Sequence, residues 1–202
     1  MKVLVAGVGN VLRADDAFGV EVARRMEQMD LPPGVKVVET GIGGMALVQE
    51  LQEGYDALIV ADAVDLGRPP GHVMLILPEV IDVNELEFDV RMDLLADMHL
   101  TTPDRALMLS KALGVLPSNL LMVGCQPVDA ETPGQGMSEE VARAVDVAVK
   151  EILGHLEKML TETSDDAAAA ETVSEEVPSD PVGDVDFLGI GTFARTDPEV
   201  TA

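Results

Sequence analysis

Tryptophan is absent from this 202-residue chain, which also holds one Tyr, four Phe and one Cys. Aromatic packing cannot dominate such an interior. The core must come from Val, Leu, Ala and Met, which suits helices laid on a sheet. The single cysteine, Cys125, excludes an intrachain disulfide framework and fits a reducing compartment. Basic residues are scarce too: 13 Lys and Arg stand against 37 Asp and Glu, a formal net charge of −24. Nucleic acid and anionic membranes would repel so acidic a chain, so neither is expected as its partner. No apolar run approaches the roughly 20 residues of a membrane span. The apolar stretch at the N-terminus ends at Gly7 after four residues, too short for a signal peptide. Together these absences predict a soluble, cytoplasmic protein.

The charge divides the chain. Residues 161–202 carry eleven acids and one base, Arg195. Between 163 and 186 few large apolar groups interrupt Ser, Thr, Glu, Asp, Ala and Pro. Such a stretch buries too little surface to offset the entropy of ordering, so the expectation is a folded domain over 1–160 and an acidic, disordered tail over 161–202. Within the tail, residues 186–193 hold two of the four Phe, a pattern open to reading as a short docking segment.

Within 1–160 strand and helix patterns alternate. Strands are predicted over 3–6, 36–39, 57–61, 73–77 and 120–125. Helices are predicted over 17–29, 45–52, 103 to about 113, and 138 to about 160. Pro103 suits a first helical turn and Gly114 a helix stop. Only about a dozen residues, including Pro69 and Pro70, separate the third and fourth strands, too few for a crossover helix. The fourth strand is therefore expected to be antiparallel. The fold class is α/β: a three-layer sandwich with a mostly parallel sheet of roughly five strands and helices on both faces.

Ligands of such sheets bind beyond the carboxyl ends of the parallel strands. Three segments should bring polar groups there: residues 7–16 after the first strand, Asp62-Ala63-Val64-Asp65 after the third, and Met98-His99-Leu100-Thr101-Thr102 ahead of a helix. The glycine-rich residues 40–44 form a further wall. Gly7-x-Gly9 lacks the third glycine of a dinucleotide fingerprint, because position 12 is Leu, and Asp15-Asp16 would repel a pyrophosphate. A carboxylate pair with an imidazole, drawn from Asp16, Asp62 and His99, suits a divalent Zn, Ni, Mn or Fe ion with positions left open. Each residue also has a structural reading: Asp16 as a helix cap, Asp62 as an acceptor in a βα turn, His99 as a turn residue. Asp15 and Asn10 are expected to shape their loop, His72 to sit at the opposite or a lateral edge, His155 to be solvated, and Cys125 to be a small buried apolar group. No Ser–His–Asp or Cys–His arrangement offers a competing nucleophile.

Gly7-Val8-Gly9-Asn10-Val11-Leu12-x-x-Asp15-Asp16-x-x-Gly19-Val20, then Asp62 closing an apolar strand, then a His ahead of a helix, resembles the nickel-iron hydrogenase maturation endopeptidases over about residues 1–155. The resemblance implies that Asp16, Asp62 and His99 bind the nickel of an immature hydrogenase large subunit. It further implies a nickel-dependent endopeptidase that removes the C-terminal extension of the large-subunit precursor after nickel insertion. The metal would then be supplied by the substrate. Two alternatives are a non-cleaving nickel-sensing chaperone for the large subunit and a peptidyl-tRNA hydrolase. The second family also begins with a strand and Gly-x-Gly-Asn, but the acidic charge opposes it.

Overall fold

A computed structural model describes residues 1–42, 44–91, 102–134, 136–169 and 186–191, with 162–169 and 186–191 described as backbone. The strands are β1 (Val3–Val8), β2 (Val35–Gly41), β3 (Ala57–Ala63), β4 (Val73–Pro78), β5 (Asn119–Cys125) and β6 (Asp186–Gly191). The helices are α1 (Phe18–Glu27), α2 (Gly44–Leu51), α3 (Pro103–Ala112) and α4 (Glu139–Ala169). One sheet has the order β2-β1-β3-β5-β4-β6. β2, β1, β3 and β5 are mutually parallel, and β4 runs antiparallel to β5, as its short connection to β3 requires.

β1 and β3 are apolar along nearly their whole length because both faces are covered. Residue alternation sorts their side chains into two cores. Val3, Val5, Ile59 and Ala61 face α1 and α4, meeting Phe18, Val22 and Met26 on the first helix and Val145, Ala148 and Ile152 on the second. Leu4, Ala6, Leu58 and Val60 face the opposite way, meeting Leu47, Val48 and Leu51 of α2 and Ala106 and Leu107 of α3. The three-layer sandwich follows directly from this alternation. Pro103 opens α3, and Gly114, at φ +69°, lies just past its end.

Most of the tail expected to be disordered, residues 170–185 and 192–202, lies outside the described residues; two elements fall within 161–202. The boundary expected at residue 160 falls inside α4, which runs on to Ala169. Part of the expected tail is a strand: β6 pairs parallel with β4, Leu75 opposite Phe187 and Ile76 opposite Leu188. Phe193 lies outside the described residues. Among those described, no helix is long and apolar enough to cross a membrane.

Candidate active site

β1 has β2 on one side and β3 on the other. From β1 the chain passes through α1, on one face, to β2, and from β2 through α2, on the other face, to β3. The carboxyl ends of β1 and β3 therefore flank the crevice at which an open α/β sheet receives its ligands. Gly7 pairs with Ala61, so Asp62 lies one step beyond that pair at the edge of the crevice. By alternation its side chain faces the layer of α2 and α3. Its Oδ1 accepts the Ala63 N–H at 2.9 Å, both residues lying in the last two positions of β3 rather than in the turn beyond it.

The loop after β1 is folded back tightly. Gly9 has φ +137°, and a Cβ there would run into the carbonyl of Asp16, whose carbon would be only 3.0 Å away. Only glycine lets the backbone turn here while residues 14–17 return against β3. Asn10 donates its N–H to both the main-chain oxygen and the carboxylate of Asp16, each at 3.1 Å. Asn10 Oδ1 accepts from Leu12 N–H at 2.9 Å, the loop-shaping role expected of it. Ala14 takes φ +28°, the only positive φ of a non-glycine among the described residues. That strained residue stands immediately before the acidic pair, held by its N–H on Gly134 O at 3.2 Å.

The two acids of the pair do different things. Asp15 is 1% exposed, and its carboxylate accepts from Val128 N–H (2.8 Å), Asp129 N–H (3.2 Å), Ser138 N–H (2.6 Å) and Ser138 Oγ (3.0 Å). It ties the loop after β5 to the loop after β1. Asp16 is 3% exposed and Asp62 2%, so two carboxylates are buried where adjoining strands end. Asp16 is not the cap of α1; Ala17 occupies that position and Asp16 lies inside the 3-10 turn. His99, the third expected member, lies outside the described residues. Among those described, no group of three His, Cys, Asp or Glu is arranged to hold a metal ion.

Two further positions define the surroundings. His72 was expected at the opposite or a lateral edge. The antiparallel direction of β4 brings its start beside Cys125, where Gln126 N–H donates to His72 O at 3.0 Å. His72 is thus lateral but at the carboxyl end of the parallel strands. Cys125 is wholly buried, and desolvation, with Asp15 adding repulsion, pushes its thiol up to about 12. A thiol so disposed is no nucleophile at neutral pH. Gln126, which the sequence reading did not single out, is a buried staple. Its Oε1 accepts from Leu66 and Arg68 N–H at 2.9 and 3.0 Å, and its Nε2 donates to Asp65 at 2.9 Å. The Gln126 amide first, and then the Gly67 N–H at 3.1 Å, hold the Asp65 carboxyl below its ordinary range.

A three-layer α/β domain with buried acids at its switch point is a frame on which an open α/β sheet presents a ligand site at its strand ends. The sequence family of hydrogenase maturation proteases matches residues 20–155, and the chain belongs to that family. It is 36% identical to the hydrogenase expression/formation protein HupD of Rhodobacter capsulatus over 156 residues, covering 77% of this chain and 71% of that one. The fold is similar to the crystal structure of a hydrogenase 2 maturation peptidase from a Thaumarchaeota archaeon (TM-score 0.56, 33% identity, 77% of this chain and 98% of that one). It is likewise similar to the hydrogenase maturating endopeptidase HybD from Escherichia coli (TM-score 0.60, 28% identity, 79% and 94%). Hydrogenase maturation by proteolysis is accordingly the function of this chain's family, and the peptidyl-tRNA hydrolase alternative gives way to it.

Proposed function

We propose that this protein is an endopeptidase that removes the C-terminal extension of a nickel-iron hydrogenase large-subunit precursor once nickel has been inserted, working in the cytoplasm. The metal arrives with the substrate. Asp16 and Asp62, with His99 as third ligand, take hold of it, so that only a loaded precursor is aligned for cutting. The observation that carries this reading is the pair of buried carboxylates at the adjoining ends of β1 and β3. Each carboxylate accepts a main-chain N–H through one oxygen, and a divalent ion would draw a ligand oxygen from each acid while its charge offsets theirs. Two oxygen ligands and an imidazole suit nickel and leave coordination positions for the substrate's own ligands. The reaction itself is addition of water across one amide: the carbonyl carbon gains a C–O bond, the C–N bond breaks, and the leaving nitrogen takes a proton.

The test is mass spectrometry of a co-expressed large-subunit precursor with and without nickel. The expected result is loss of the C-terminal extension only with nickel, abolished by Asp16→Ala, Asp62→Ala and His99→Ala. A precursor that takes up nickel and remains uncut beside the wild-type protein would leave a non-cleaving chaperone as the reading. Cutting that proceeds equally without nickel would remove the metal from recognition.

A further inference from the structure

Large apolar side chains are exposed on every loop that leaves a parallel strand at the active edge. Val11 and Leu12 follow β1, Ile42 follows β2, Leu66 follows β3 and Val128 follows β5, with exposures from 39% to 72%. Hydrogen bonds join these loops in sequence. Gly9 N–H on Gly41 O, at 3.1 Å, ties the β1 loop to the loop bearing Ile42. Gly134 N–H on Leu12 O, at 3.0 Å, and Val128 N–H on Asp15, at 2.8 Å, tie it to the loop bearing Val128. Leu66 N–H on Gln126, at 2.9 Å, closes the series. The five side chains therefore stand on one linked set of loops around the ends of β1 and β3, where Asp16 and Asp62 lie.

The charge of these loops departs from that of the chain. Their exposed charges are Arg13 and Arg68 against Asp65, Asp129 and Glu131, nearly balanced on a protein of net charge −24. Exposed apolar side chains gathered on linked loops of small net charge, on a strongly acidic protein, suit a protein partner. A second copy of this chain is a poor occupant, because two such acidic bodies repel. An endopeptidase must instead draw a polypeptide across this edge to bring one bond to the buried acids, and the residues flanking that bond then meet the rim.

We infer that Val11, Leu12, Ile42, Leu66 and Val128 form the docking rim for the substrate, and that the precursor segment beside the cut bond presents apolar, not acidic, side chains to it. This rests on the reading that the substrate is the large-subunit precursor. The rim sets affinity and the choice of precursor; the acids it surrounds act on the bond.

The test uses the full chain, otherwise unmutated, with nickel-free large-subunit precursor, which the proposed reading leaves uncut, as the binding probe in surface plasmon resonance. Leu12→Glu and Ile42→Glu are each expected to raise Kd at least tenfold, while Leu12→Met and Ile42→Val stay within about threefold of the parent. Val147→Glu and Leu113→Glu, exposed apolar positions off the rim, are the controls and should leave Kd unchanged. In the otherwise wild-type enzyme, the rim variants should raise KM for processing and leave kcat in place. Equal Kd for rim and control variants overturns the inference, as does failure of the parent to bind the precursor at all. Rim-dependent binding of a precursor that wild-type protein never cuts, even once nickel-loaded, would support the rim and sink the processing reading instead.

Discussion

Gly19 tests whether the close approach of α1 to the strand ends builds this site. A Cβ on Gly19 would lie 2.7 Å from the carbonyl carbon of Ala61, and closer still to the oxygens of Ala61 and Val8. Real Cβ atoms essentially never come within 3.0 Å of such neighbours, and these are backbone atoms of β3 and β1 that cannot rotate away. Two effects oppose each other in Gly19→Ala. Helix propensity favours alanine by about 1 kcal/mol. Forcing the helix off the sheet costs about 3 kcal/mol, the upper part of the usual range for overpacking, because two strands are struck at once. The net loss of about 2 kcal/mol should lower Tm by about 4–8 °C for a chain of this size. Gly154→Ala is the matched control: nothing lies within 4 Å of its Cβ position in α4, so propensity acts alone and stability should rise by about 0.5–1 kcal/mol. Thermal and urea unfolding of both variants measures the contrast. Gly19→Ala melting within a degree of wild type would refute the close-packing account of the strand-end loop.

Three further outcomes are expected. Cys125, with its thiol pushed up to about 12 by burial, should resist a thiol reagent at pH 8 in the native protein and react fully in denaturant, and Cys125→Ala should keep processing activity; rapid native labelling would contradict its burial. The Glu50 carboxyl is held below its ordinary value of 4.5, first by the Lys36 ammonium at 2.5 Å and then by the Tyr55 hydroxyl. A depressed folded value stabilises above the unfolded value and is lost as pH falls through it, so the stability gap between wild type and Glu50→Gln in urea unfolding should narrow below pH about 4.5. Deleting residues 182–202 should speed amide exchange along the outer edge of β4, which β6 otherwise pairs, and unchanged exchange would argue against that pairing.

The site was legible in the sequence where local chemistry and topology coincide. The wholly apolar 57–61 run marks a strand covered on both faces, so an acid directly after it must emerge at a sheet edge, and Asp62 does. Gly7-x-Gly9 marks a tight turn, because a side chain at Gly9 would strike Asp16. Contacts that join distant segments left no comparable mark. Nothing around Gln126 signals that its amide will hold the loop at 65–68, since that contact spans about sixty residues. The position of His72 was half legible. A short connection implied an antiparallel β4, and that same reversal carries the start of the strand to the carboxyl end of its neighbours. The two elements described beyond 160 left little mark in composition for a different reason. A stretch poor in large apolar groups lacks material for a core, but Ala-rich residues extend an existing helix without one. A strand laid on the edge of β4 is recruited by backbone hydrogen bonding, to which composition is largely blind.

Asp15 and Asp16 are neighbours of one residue type, and their separation into two roles gives a kinetic prediction. Successive residues of a 3-10 turn point about 120° apart. One carboxylate therefore turns to the loop after β5, while its neighbour takes the Asn10 N–H on the side of the β1 loop. In Asp15→Asn the amide oxygen can replace the carboxylate oxygen that receives Val128, Asp129 and the Ser138 hydroxyl. Its NH2 then faces the Ser138 N–H, leaving that donor unpaired beside the start of α4. An orphaned buried donor costs about 1–3 kcal/mol. The loop bearing Val128 also loosens against the loop bearing Leu12, so KM for the precursor should rise while kcat changes little. Asp16→Asn has the opposite signature. It spares the ties between the loops, so stability should stay near wild type, while kcat collapses because the group that meets the metal-loaded substrate has lost its charge. A collapse of kcat in Asp15→Asn with KM and stability intact would assign the chemistry to the wrong member of the pair.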